Sequence, residues 1–587
     1  MSLRRMGRQA GIGVGHRGDD FLQTDDLDQG KVLSLLDCRL LDQIRANALK
    51  LGPRGQALPY VSDTLHVYMT LTNLRGVPYA VTFEGGNIVM MPHGDRVHYS
   101  INGLGSWKAS SPFADNDGTR TLKVGGLFGP NGPSQDWEDF TQAAVASAAF
   151  PVGLAPRTIA TVLTEYDKRS WPITEWHLQD SIRPSWPSPW RDDTKRGFSF
   201  LSIDGGVVNN DPFEYAHFTL MDNPPDPNPR SGEDADRAVI MIDPFPEPPE
   251  FPADGQPDQA LVNVLKVFIP ALINQARFKP TELFLAASEA IYSRYLIAPS
   301  RPKPNQSAEL YAIACGLLGG FGGFLSRSFR EHDFILGQRN CQKFLSSSFA
   351  LPNNNKIIQQ WPQAARNNPD FAATAAAAQP PHFCIIPLIG DAKEEIAAPP
   401  WPQLSQDEFD ALQTRIAQRL DKLVQTLVAS NGPGGIAGWL LGRIYSSRRG
   451  DALNFIKFTL LADLVKRDQI QRWDLPKVWK QPPSIPLDGS DVRKVLAALL
   501  NPSLDLRNAA GIAAATRLDV TKVTAILVAC QAETGAPYEV WQSPRKDKSG
   551  AALYALASRK PGWFTSLPGI RQASDWVSPP QVDPPGL

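Results

Sequence analysis

The chain has few of the features that would place it at a glance. Its five cysteines, Cys38, Cys315, Cys341, Cys384 and Cys530, are scattered over 587 residues and include no Cys-x-x-Cys pair. An odd number of distant thiols argues against a disulfide framework or a cysteine zinc site, and points to a reducing, cytoplasmic compartment. No run of eighteen apolar residues occurs, so nothing reads as a membrane-spanning helix. Arg4, Arg5 and Arg8 are followed by no apolar stretch and so do not open a secretory signal. Lysine plus arginine (59) balances aspartate plus glutamate (60), which removes any bulk pull toward nucleic acid or an anionic membrane. His93 and His98 stand in a polar loop without metal-ligand spacing, and neither a metal nor a cofactor is expected.

What is present is long and ordinary in composition. A chain of this length exceeds one hydrophobic core, so several domains are expected. The 52 prolines fall mostly in connecting segments and imply long irregular loops. Residues 1–25 are polar and read as poorly ordered, and Gly11 to Gly18 imitates a phosphate loop without the strand and helix such a loop requires. Apolar spacing predicts helices over 31–49, 137–150, 259–276, 281–296 and 406–428, and the charges within 329–345 read as a solvated face or a structural network. Thr64 to Asn73 and Arg237 to Asp243 read as strands, the second ending at a lesser candidate carboxylate, Asp243. The glycine-studded apolar segment 309–324 reads as a buried packing helix, and 371–380 as an alanine-rich linker.

The most informative stretch is Phe198 to Pro212, Phe-Ser-Phe-Leu-Ser-Ile-Asp-Gly-Gly-Val-Val-Asn-Asn-Asp-Pro. Phe198 to Ile203 is long enough for one buried strand and too short for a helix. Asp204-Gly205-Gly206 turns the backbone sharply, and Asp211-Pro212 reads as the N-cap and first position of a helix. Strand, carboxylate, glycine turn, helix is an arrangement that places Asp204 at the carboxyl end of a strand, where α/β sheets hold their ligands.

This string resembles the second catalytic block of the patatin-like phospholipases, which carries Asp-Gly-Gly, a few residues, then Asn and Pro opening a helix. Asp204, Gly205, Gly206, Asn209, Asn210 and Pro212 carry the match, with Asp211 interposed where the family runs Asn into Pro. Ala146 to Pro151 resembles the family's Ala-Ser-x-Ala-x-Pro segment and contains Ser147, the one serine here worth testing as an unorthodox nucleophile. The resemblance spans about residues 60–345, within a domain expected at 26–400. It implies a three-layer α/β sandwich with a mostly parallel central sheet, incomplete at the N-terminus, and a lipid or ester substrate reached by peripheral membrane contact. It also implies a Ser-Asp dyad acting without metal or cofactor, in which aspartate takes the proton of a serine held on a Gly-x-Ser-x-Gly elbow. No Gly-x-Ser-x-Gly and no glycine-rich oxyanion loop precede Thr64, so the chain is expected to be a truncated or inactive form holding Asp204 alone.

The end of the chain follows another pattern. A helical covering layer at 401–480 gives way at Pro482, Pro483 and Pro486 to three helices and two extended pieces, resembling a winged helix over 485–575. Lys522 on its third helix and Arg545, Lys546 and Lys548 on its turn are the expected contacts if the partner is DNA; a protein partner is the alternative. The second overall reading is therefore a non-catalytic binding or regulatory protein.

Overall fold

A computed structural model describes residues 21–50, 55–243, 280–301, 311–374, 381–430 and 436–559, apart from positions 84, 116, 131, 194–195, 211, 224–225, 482, 503 and 505; between 244 and 279 only isolated positions are described. The expected helix at 259–276, the loop at Gly11 to Gly18 and the linker residues 375–380 lie outside this description.

Thr64 to Asn73 alternates Leu65, Val67, Met69 and Leu71 with His66, Tyr68, Thr70 and Thr72, which gives a strand one apolar and one polar face. It becomes the middle of the principal sheet. The first part of the chain supplies helix α1 (Arg39–Ala48) and strands β1 (Leu58–Ser62), β2 (Thr64–Asn73), β3 (Tyr79–Phe83), β4 (Gly86–Met90), β5 (Gly94–Asn102) and β6 (Gly105–Trp107). Helix α2 (Pro112–Asp115), β7 (Arg120–Lys123), α3 (Gln135–Ser147), β8 (Arg157–Val162), α4 (Leu163–Asp167), β9 (Ile182–Pro184), β10 (Gly197–Asp204) and α5 (Phe213–Thr219) follow. The five-stranded sheet has the order β7-β5-β2-β10-β8.

The coarse expectation of a mixed α/β protein holds, with helices and several small sheets that include parallel strands. The mostly parallel central sheet does not. β2 pairs antiparallel with β5 and β10, β10 pairs antiparallel with β8, and only β5 with β7 is parallel. The chain leaves β2 and returns as β5 through the β3–β4 hairpin, a reversal that needs no helical crossover and makes the neighbours antiparallel.

The apolar face, with Val67, Leu71, Val97, Tyr99, Phe198 and Phe200, packs under α3, where Ala143 and Ala146 allow close approach. The opposite face is polar and equally buried. Arg96, on β5, donates to Asp117 Oδ1 at 2.9 Å and to the Ser170 carbonyl at 2.7 Å, and its guanidinium lies 4.8 Å from the Tyr215 ring centre. Asp117 also accepts the Ser170 N–H at 2.8 Å. Burial alone would raise the Asp117 pKa, but Arg96, His98 and the Ser170 N–H together hold it below the ordinary carboxylate value. Helices α2 and α5, with Met221 just past α5, close this face through Phe113, Ala114, Phe218 and Met221.

The second half adds a parallel pair, β11 (Val239–Ile242) with β12 (Arg294–Ile297), so the helix expected over 281–296 stops at Ala287 and yields to a strand. Segment 314–324 is not one helix: short turns are broken at Leu318, Gly319 and Gly320, all at positive φ, while Leu317 is buried in the core. Long helices α6 (Arg327–Ser347), α7 (Gln406–Ser430) and α8 (Ile436–Lys466) follow. Phe21 is ordered against Phe324, ring centres 4.6 Å apart, inside the stretch expected to be loose.

The C-terminal elements are α9 (Gly489–Leu499), β13 (Arg507–Asn508), α10 (Ala509–Thr516), α11 (Val520–Ala532), β14 (Val540–Lys546) and β15 (Ala552–Leu556). The three strands form an antiparallel sheet with β15 in the middle. The prolines at 482–486 do not separate two cores: one apolar cluster runs from Phe329 and Leu464 through Trp473 to Val495, Ile526 and Leu556. Leucines on α8 and α9 face each other across that stretch, so the module is fused to the helical layer.

Removing one member of the buried Arg96–Asp117 pair leaves the other charge unmatched. Asp117→Ala is expected to cost about 3–5 kcal/mol of stability, read as a lowered urea midpoint. Recovery of most of that loss in Asp117→Ala/Arg96→Met is expected, and a midpoint unmoved by Asp117→Ala would contradict the account.

Candidate functional site

Asp204 is the last residue of β10, and its backbone is held from both sides. Its N–H donates to the Ala149 carbonyl, just past α3, at 2.9 Å. Its own carbonyl accepts the Thr72 hydroxyl at 2.7 Å. The next residue explains the glycine: a Cβ on Gly205 would stand 2.1 Å from the Thr70 carbonyl oxygen, a contact no side chain can make. A Cβ on Gly206 would stand 2.6 Å from the Asn210 side-chain oxygen, a contact that a shift of that side chain could relieve. The chain therefore turns at once through a 3-10 segment, Gly205–Val207.

The rest of the motif serves this turn. The Asn209 N–H donates to the Gly205 carbonyl at 2.9 Å, and its side-chain amide donates to Glu214 Oε1 at 3.1 Å on α5. Pro212 occupies the N-cap position of α5 and not the first helical position the sequence pattern predicts; Asp211, the expected cap, lies outside the described residues.

The Asp204 carboxylate is half-buried, and burial raises its pKa above the ordinary 3.8, with the Gly206 N–H at 2.8 Å pulling it partly back. Among the described residues no lysine, arginine or histidine pairs with it. The contrast with Asp95 is instructive. Leu71 pairs with Asp204 on one side and Asp95 on the other, so both carboxylates rise from the same sheet face about 10 Å apart. Asp95 is saturated by Arg169 at 2.6 Å, the Asn73 amide at 2.8 Å, the Tyr166 hydroxyl at 2.9 Å and the Arg96 N–H at 2.7 Å. Asp95 is a structural anion; Asp204 has spare acceptor capacity and an unfavourable environment for charge, the combination associated with acid–base work.

Ser147 closes α3 and makes no hydrogen bond to Asp204; the link between α3 and β10 is the Ala149 carbonyl. Asp243 follows β11 in a different sheet, its N–H donating to Ile297. Among the described residues no group of His, Cys, Asp and Glu could hold a metal ion, and no helix is long and apolar enough to cross a membrane. A cavity of about 590 Å³ opens beside α6, lined by Arg339, Lys343, Asp370 and Lys393 and not by Asp204.

Sequence reasoning missed a second polar cluster. His66 Nδ1 and His98 Nε2 lie 3.0 Å apart across β2 and β5, with Tyr68 stacked on His98 at 4.0 Å between ring centres. His98 Nδ1 is 3.1 Å from Asp117 Oδ2, off the hydrogen-bond direction, and His66 Nε2 is 3.7 Å from Asp115. Burial, then the neighbouring His98, lowers the pKa of His66. The two histidines are 32 residues apart, and only strand register joins them; their shared polar-face position in β2 and β5 is the one signal the sequence carries.

At the C-terminus Lys522 is engaged by Asp491, which also binds Lys494 at 3.1 Å. Arg545, Lys546 and Lys548 are exposed near the β14–β15 turn. The solvent face of α11, with Val520, Thr521, Thr524 and Val528, carries no charge.

Comparison with known proteins finds 41% identity over 583 residues, 96% of this chain and 81% of the relative, to "Uncharacterized protein y4iI" of Sinorhizobium fredii (strain NBRC 101917 / NGR234). No family model matches the chain. No solved structure matches it.

The Gly205 contact yields a direct test. Gly205→Ala is expected to lower stability by about 1–3 kcal/mol, read from chemical unfolding. Gly197→Ala, whose Cβ would meet nothing within 4 Å at the start of the same strand, should change it by less than about 0.5 kcal/mol. Equal effects at the two positions would refute the wedge.

Proposed function

The chain belongs to the family of the Sinorhizobium fredii protein y4iI, and we propose that its principal sheet carries the acid–base half of a patatin-like acyl hydrolase acting on lipid esters. The observation that supports this most is Asp204 itself, a half-buried carboxylate without a cation, aimed by a glycine turn whose geometry admits no side chain. Helix α3 on one face of the sheet and α2 and α5 on the other are compatible with the three layers of such a fold.

In that reading a serine oxygen adds to the ester carbonyl while Asp204 takes its proton. The proton then passes to the departing alcohol as the carbon–oxygen bond breaks. In the second half Asp204 takes a proton from water, hydroxide adds to the acyl carbon, and the serine leaves with that proton. The raised pKa of Asp204 brings it closer to that of the groups it exchanges protons with. No Gly-x-Ser-x-Gly occurs in the sequence, and among the described residues no serine hydrogen-bonds the Asp204 carboxylate. The reading therefore makes the chain a base awaiting a nucleophile.

A C-terminal winged helix is the second reading, favoured by three helices packed on a sheet with β15 between β13 and β14. The uncharged outer face of α11 and the engagement of Lys522 by Asp491 favour a protein partner over DNA. Duplex binding by the full chain is expected to be weak and indifferent to Lys546→Glu/Lys548→Glu. Affinity that falls steeply with salt and disappears in that variant would restore DNA as the partner.

The hydrolase reading is tested by supplying the missing alcohol. Acyl transfer from nitrophenyl butyrate to added ethylene glycol is expected to rise with acceptor concentration, and with pH along a limb above 3.8 as the carboxylate forms. Asp204→Asn should reduce the protein-dependent rate by roughly a hundred- to ten-thousand-fold. Equal rates for the two proteins at every acceptor concentration would sink the proposal.

A further inference from the structure

The β3–β4 hairpin is the feature that neither the core nor the Asp204 turn explains. β4 is an edge strand, in a small sheet of order β4-β3-β9. All five of its residues are exposed, and three of them are Ile88, Val89 and Met90, each more than half accessible. Phe83 at the tip and Met91 at the base are exposed to about the same degree. Edge strands of soluble sheets are normally blunted by lysine, proline or a bulge. This one has none of these between Gly86 and Met91.

The base of the hairpin differs from its tip. Met91 lies over Gly76, and the Val77 N–H donates to the Pro92 carbonyl at 3.2 Å, which seats the hairpin on the Leu74–Gly76 turn. There the guanidinium of Arg75 stands 4.7 Å from the Trp190 ring centre, and that of Arg196 4.2 Å from the same ring. Neither arginine has a carboxylate partner among the described residues. Leu74 and Leu201, bonded backbone to backbone at 3.0 Å, continue the apolar surface onto β10, three residues before Asp204.

We propose that this hairpin is a membrane-docking element, laying the apolar edge strand β4, Ile88 to Met90, into the surface of an anionic bilayer while Arg75, Arg196 and Trp190 sit at headgroup level. The choice of a lipid surface over a protein partner rests on the pleat. Ile88 and Met90 point to one face of β4 and Val89 to the other, yet both faces are exposed and apolar. A protein strand added at the edge, or a protein surface laid on one face, leaves the other face in water. An acyl-chain phase covers both at once. Paired arginines around an indole, with no carboxylate bonded to either among the described residues, complement phosphate headgroups, the usual station of such side chains at a membrane boundary. The proposal deepens the acyl-hydrolase reading by naming the physical form of its substrate, but membrane binding is measured without turnover.

The test is flotation of the full-length chain with vesicles of phosphatidylcholine alone or with about a third phosphatidylglycerol. The wild type is expected to bind the anionic vesicles at least about tenfold more tightly than the neutral ones. Val89→Asp/Met90→Asp should lose that binding, and Arg75→Gln/Arg196→Gln should retain only its neutral-vesicle level. Circular dichroism and the urea midpoint establish that these variants remain folded. Asp204→Asn should bind as the wild type does, so failure of the hydrolase reading leaves this result standing, and the reverse. Absence of wild-type binding to both vesicles overturns the proposal, as does equal binding by the hairpin variant. Light scattering that shows a wild-type dimer made monomeric by Val89→Asp/Met90→Asp, with no vesicle binding, would assign the hairpin to a second copy of the chain.

Discussion

Gly205 crosses the end of β2 so closely that the Thr70 carbonyl occupies the space any larger residue would need. That contact decides where Asp204 can be. With the following Cα pinned, the Asp204 N–H taken by Ala149 and its carbonyl by the Thr72 hydroxyl, the backbone has no freedom left. The carboxylate is consequently aimed by its main chain and needs no cation to hold it. The rest of the domain can be read as supporting that placement: β2 provides Thr70 and Thr72, α3 ends where Ala149 can reach β10, and the buried charges of the sheet are neutralised elsewhere.

The neutralisation is uneven in an informative way. Asp95 and Asp117 are each met by an arginine and by backbone or side-chain donors. Both serve as internal anchors, tying β5 to α4 and to the loop after α2. Among the described residues the Asp204 carboxylate receives the Gly206 N–H and no cation. A carboxylate left in that state costs stability, because burial penalises its charge without a compensating partner. The same argument separates the lysines of the C-terminal module, where Lys522 is held by Asp491 while Lys546 and Lys548 remain in solvent.

Much of this was legible from residue order, and the parts that were not have physical reasons. Phe198 to Asp204 announced a strand ending in a turn, and the helix after Pro212 begins within a residue of its expected start. Strand direction was lost because β2 and β10 are 124 residues apart at their nearest ends and nothing local encodes which way they pair. The alternation in Thr64 to Asn73 was nevertheless a clue to a two-faced, antiparallel sheet. Leu318 at positive φ broke a segment whose composition reads as helical, a case of packing overriding propensity. The prolines at 482–486 looked like a boundary, yet Leu464 and Val495 share a core across them. The His66–His98 contact could not be found from spacing, since it exists only through the register of β2 with β5.

Asp204 is either a poised proton acceptor or the cap of its own turn, and the two differ in how the carboxylate titrates. The most direct measurement is the carboxyl-carbon NMR titration of Asp204, assigned by its disappearance in Asp204→Asn. A poised, desolvated base titrates above the ordinary aspartate value of 3.8. Titration at or below that value would mean the Gly206 N–H dominates, and Asp204 would then be a structural turn residue with no claim to chemistry.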